Sequence, residues 1–203
     1  MKKNFNELLQ ILQNYADKGA KTREALDAIN KNANFSQMKK EKDSDEVKAK
    51  FAAYGEAQLT KANGIIENII QEAGKAQLDI NAMTGALSYI SITGDKVKLD
   101  VLESIVEGYR GNMAALKALH SALEGVSAPI TAKQLVTKLF FNLKDVRAAL
   151  ENEMQLVIDG GKGASQAARK IVKEAFLLGV DIESSVKDEY GDNMAMRRAA
   201  GLL

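Results

Sequence analysis

The residues able to do chemistry are few and scattered. His120 is the only histidine, and the chain has no cysteine, so it lacks the partners that a zinc or non-haem iron site needs. A structural histidine beside a buried helix face accounts for it. Glu103 and Glu107 are four residues apart and share a face if helical, and Glu151 and Glu153 form a second pair. A di-metal carboxylate bundle requires Glu-x-x-His on two helices, which is absent, so both pairs read as solvated faces. The run 159–163, Asp-Gly-Gly-Lys-Gly, approaches a phosphate-binding loop. That motif needs Gly-Lys followed directly by Ser or Thr, after a strand. Here Lys162 precedes Gly163 and the segment before it reads as helix. An interhelix turn is the plain reading, and a weak anion site at the start of the next helix is the functional one. No catalytic residue, metal ligand or cofactor is assigned, and the chain is read as non-enzymatic.

The most informative charges are Lys39, Lys40, Lys42, Lys48 and Lys50. Lysines on a mobile segment grip a polyanion as point charges, without fixed geometry. Glu41, Asp43, Asp45 and Glu46 are interleaved with them and cut the net field. A solvated segment without a partner is therefore the competing reading.

The elements that must position these residues are helices. The 203 residues contain one proline, no tryptophan and 46% apolar residues, mostly Leu, Ile, Val, Ala and Met. Sandwiches and barrels need many turns, and turns favour Pro, Gly, Asn and Asp. The length suits one domain with its own core. A net charge of +1 lacks the basic excess usual in duplex-binding proteins, and no nucleic-acid partner is expected. No stretch approaches the roughly 18 apolar residues of a membrane span. The basic start, Met1-Lys2-Lys3, has no apolar run after it and is not an intact signal peptide. Both a cytosolic protein and a mature exported chain remain open.

Apolar periodicity predicts five helices. The first covers about 4–33, with Phe5, Leu8, Leu9, Leu12 and Tyr15 on one face and a kink or split at 17–20. Residues 34–44 read as a basic linker, with Asp43 or Ser44 capping the next helix. The second helix covers about 45–91, with Gly74 or Gly85 able to bend it, and the third about 95–126. Thr131-Ala132-Lys133-Gln134 has the form of a capping box and opens a fourth helix that reaches about 158. A fifth covers about 164–196, so 164–203 can be an appended C-terminal element. The expected fold is all-α, a single-domain bundle of about five amphipathic helices.

The order of these features resembles the decorin-binding proteins of Borrelia spirochaetes. The likeness runs through Leu26-Asp27-Ala28-Ile29-Asn30-Lys31, Phe35 and Met38-Lys39-Lys40, then a Lys/Ser-rich stretch. It continues with Glu56-Ala57, Ile69-Ile70-Gln71-Glu72-Ala73 and Pro129-Ile130-Thr131-Ala132, so that it spans roughly residues 20–150. The resemblance implies a helical surface lipoprotein, held at the bacterial outer membrane by a lipidated cysteine upstream. It also implies lysine-mediated adhesion to host glycosaminoglycan or proteoglycan. The five lysines above match the family's basic linker by position and type. The family's lysine in the second helix falls at Gly64 here, with Lys61 nearly one turn earlier, and Glu151 and Glu153 stand where the family has further lysines. A host protein, from the matrix or from complement, is thus an equal candidate ligand. The alternative from another class is a cytosolic helical scaffold or oligomerisation module, packing through Met194, Met196, Leu202 and Leu203.

Overall fold

The computed structural model of the protein describes residues 1–75, 78–158, 165–180 and 182, with backbone alone for 153–158 and 165–166. The regular structure among the described residues is helical throughout: α1 Lys2–Lys31, α2 Gln37–Gly74, α3 Ile80–Thr93, a 3₁₀ turn Gly94–Lys96, α4 Leu99–Glu107, α5 Met113–Gly125, α6 Ile130–Thr137, α7 Leu143–Ile158 and α8 Ser165–Leu177. The all-α class stands, and the expected five helices become eight.

Several expectations are corrected. The first helix does not split into two elements at 17–20, since α1 is one helix. The segment read as a linker is helical from Gln37. Ser36 is its N-cap, its hydroxyl accepting from the Lys39 N–H at 3.3 Å, in place of Asp43 or Ser44. Lysine and glutamate are good helix formers, and side-chain pairs one turn apart, Gln37–Glu41 at 2.9 Å and Glu46–Lys50 at 2.6 Å, support a stretch that has few apolar residues to bury. The second expected helix breaks after Gly74, and α3 restarts where the Asp79 carboxylate accepts from the Ala82 N–H at 3.0 Å. The third breaks at Gly111, whose φ of +80° suits glycine, and α5 restarts on the Asn112 side chain, which accepts from Ala115 at 3.0 Å. The fourth divides into α6 and α7. The capping box does not form: Pro129 is the N-cap of α6, and no side chain caps that end. Proline's fixed φ opens the helix early and leaves Thr131 inside the first turn.

Two hydrophobic cores result. The first lies between α1, α2, α7 and α8. It buries Phe5, Leu8, Leu12 and Tyr15 against Ile66, Ile69, Val146, Leu150 and Ile171. The second is built from α3–α6, around Ile90, Leu102, Leu116, Leu119, Leu123 and Val136. The second core is thus inserted in sequence between the two halves of the first. The C-terminal helix α8 packs as a full member of the first core through Ala167, Ala168, Ile171 and Ala175. Its last residue, Leu177, belongs to the second core, and Phe141 packs against both. At the same junction the Arg110 guanidinium lies 4.1 Å over the Phe176 ring and pairs with Glu107.

Candidate functional site

The lysines sit on a two-helix arm. No residue from 20 to 50 is buried. Over that stretch Leu26, Ile29, Phe35 and Val47 are half-buried, and among the described residues none of them belongs to or packs against either buried cluster. Lys21, Arg23 and Lys31 join the five lysines there, against six carboxylates.

Helical period places Lys39, Lys42 and Lys50 on one side of α2 and turns Lys48 to the other. Glu46 stands among the first three, and Lys50 holds its carboxyl below the usual carboxylate range. Lys39 rests over the Phe35 ring at 4.0 Å. Lys40 donates to the Asn30 carbonyl at 2.8 Å and so covers the end of α1, a favourable place for a cation. Lys61 lies outside the arm, eleven residues beyond Lys50 on the same helix, and pairs with Glu7 of α1 at 3.0 Å. All six lysines therefore lie on α2, five of them on its arm segment, with several already engaged within the molecule.

The other sequence candidates resolve simply. His120 is partly buried, its ring edge-on to Phe140 with centroids 5.9 Å apart and its Nε2 4.0 Å from Glu124. Glu107 pairs with Arg110, and Glu151 with Arg147 at 3.1 Å. Among the described residues no three His, Cys, Asp or Glu side chains are grouped as metal ligands would be. The run 159–163, the side chain of Glu153 and the tail with Met194, Met196, Leu202 and Leu203 lie outside what is described.

Two features escaped the sequence reading. One is an apolar groove of about 590 Å³ between α3 and α4, walled by Ala82, Ala86, Val101 and Ile105, with Asp79 and Tyr109 at one end. The Tyr109 hydroxyl is buried there without a hydrogen-bond partner, a situation that costs about 1–3 kcal/mol. Burial raises its pKa, and the Asp79 charge adds to the rise. At the other end Tyr89 is held by the Lys98 N–H, which donates to its hydroxyl at 3.1 Å. The available signal was that α3 carries no charged residue. The other feature is Glu174, 2% exposed, whose Oε2 accepts from the Asn142 N–H at 2.7 Å. Burial raises its pKa above the usual carboxylate range, against the Asn142 hydrogen bond and the charges of Lys173 and Lys170.

Fold and sites together define an all-helical protein whose candidate sites are surfaces: a charged arm and an apolar groove. The chain matches no protein-family model, no curated protein and no solved structure.

Proposed function

We propose that this chain is a non-enzymatic binding protein of a bacterial surface, lipid-anchored like the decorin-binding proteins it resembles, and that it meets its host ligand with the α1–α2 arm. The observation that carries this reading is the arm itself: a helical hairpin without a buried residue from 20 to 50 that displays Lys39, Lys42, Lys48 and Lys50. A sulfated glycosaminoglycan is the ligand class that suits such a display. Glu46 and its neighbouring carboxylates lower the net field, so the binding is of modest strength and steeply salt-dependent.

Chromatography on immobilised heparin across a salt series tests it. The wild type should be retained at low ionic strength and released as salt rises. A variant with Lys39, Lys40, Lys42, Lys48 and Lys50 changed to Ala should bind at least about tenfold more weakly. Changing Lys61 alone to Ala should have little effect, because that side chain is off the arm and paired with Glu7. No retention at low salt would rule out the polysaccharide and direct the search to host matrix and complement proteins.

A further inference from the structure

We propose that the groove between α3 and α4 binds a small amphipathic amine, its hydrocarbon body lying between the two helices and its ammonium beside the Asp79 carboxylate. The site is separate from the arm and does not depend on the adhesin reading. Three observations carry it. First, α3 has no charged residue in its 14 positions although only Met83, Ala86 and Ile90 are buried. A surface helix ordinarily carries charge on the side that faces water, so the uncharged side of α3 suits an apolar occupant. Second, the groove has the size and lining of a small-molecule site, about 590 Å³ with apolar walls and polar groups converging at one end. The space above Gly85 is open: a Cβ there would meet nothing within 4 Å.

Third, the polar end selects for charge. Asp79 is exposed and uses Oδ1 to cap Ala82, which leaves Oδ2 for a ligand. Among the described residues no Lys or Arg lines the groove to neutralise it. The Tyr109 ring lines the same groove, and tyrosine faces attract cations. A carboxylate ligand would be repelled by Asp79, and an alcohol would gain no ion pairing.

The full chain is titrated with n-octylammonium, n-octanol and n-octanoate, each below its aggregation concentration, while the amide resonances of Gly85 and Gly108 are followed by NMR. Octylammonium should bind about three- to fivefold tighter than octanol, and octanoate more weakly than either. Asp79→Asn keeps an N-capping side chain and should bring octylammonium down to the level of octanol. Gly85→Leu should abolish binding of all three by filling the groove. Thermal melts show which variants fold, and if Gly85→Leu does not, the Asp79→Asn comparison decides. The proposal is overturned if octylammonium does not bind, if octanol or octanoate binds as tightly, or if Asp79→Asn leaves the preference intact.

Discussion

Glu174 shows how one side chain can tie stability to pH. Its carboxylate is buried where α8 meets the start of α7, with Lys170, Lys173 and Asp145 the charged groups acting on it. Burial disfavours the charged form and raises the pKa above that of the unfolded chain. The stability linked to this group is fully present below the unfolded pKa and is lost as pH rises through the folded one. Glu174→Gln keeps an acceptor for the Asn142 N–H and removes the charge. The variant should be more stable than the wild type at pH 8, and the difference should vanish near pH 4, as read by urea unfolding across that range. Only the packing of α8 on Asn142 makes Glu174 a buried group, and no local pattern records that contact.

The arm shows how a helix can form with little core to hold it. The first part of α2 relies on its Ser36 cap, on helix-forming residues and on pairs one turn apart. Such terms are worth tenths of a kcal/mol to about 1 kcal/mol each. From Phe51 onward α2 buries large side chains, worth roughly 1.5–3 kcal/mol apiece. Amides at 22–48 should therefore exchange with solvent deuterium faster than those at 55–70, and Ser36→Ala should widen the gap. A uniform exchange profile along α2 would contradict this account. The lysine-rich stretch was legible as a charged segment and illegible as a helix. Apolar periodicity signals burial, and this stretch is helical with almost none.

For the molecule as a whole, the junction of the two cores is the most demanding place. The turn between α4 and α5 approaches the end of α8 so closely that a Cβ on Gly111 would come within 2.8 Å of the Leu178 carbonyl oxygen. Its φ of +80° adds strain for any other residue. Gly111→Ala should cost more than about 2 kcal/mol, seen as a lowered urea midpoint, because neither backbone can yield without moving a core. The insertion of the second core between α2 and α7 could not be read from the sequence. Both clusters draw largely on Leu, Ile, Val and Ala, and nothing local says which stripe meets which.

The sequence by itself determined the helical class and most inward-facing residues, from Phe5 through Tyr15 on α1 to Ile171 on α8. These follow from a period of 3.6 residues and from side chains that must leave water, both local properties of the chain. Tertiary structure alone decided where the long stripes break, that the lysines ride on a helical arm, and that α3 and α4 leave a groove between them with Asp79 and Tyr109 at its end. Each of those depends on contacts between residues far apart in sequence, where the gain from burial exceeds the preference of any single segment.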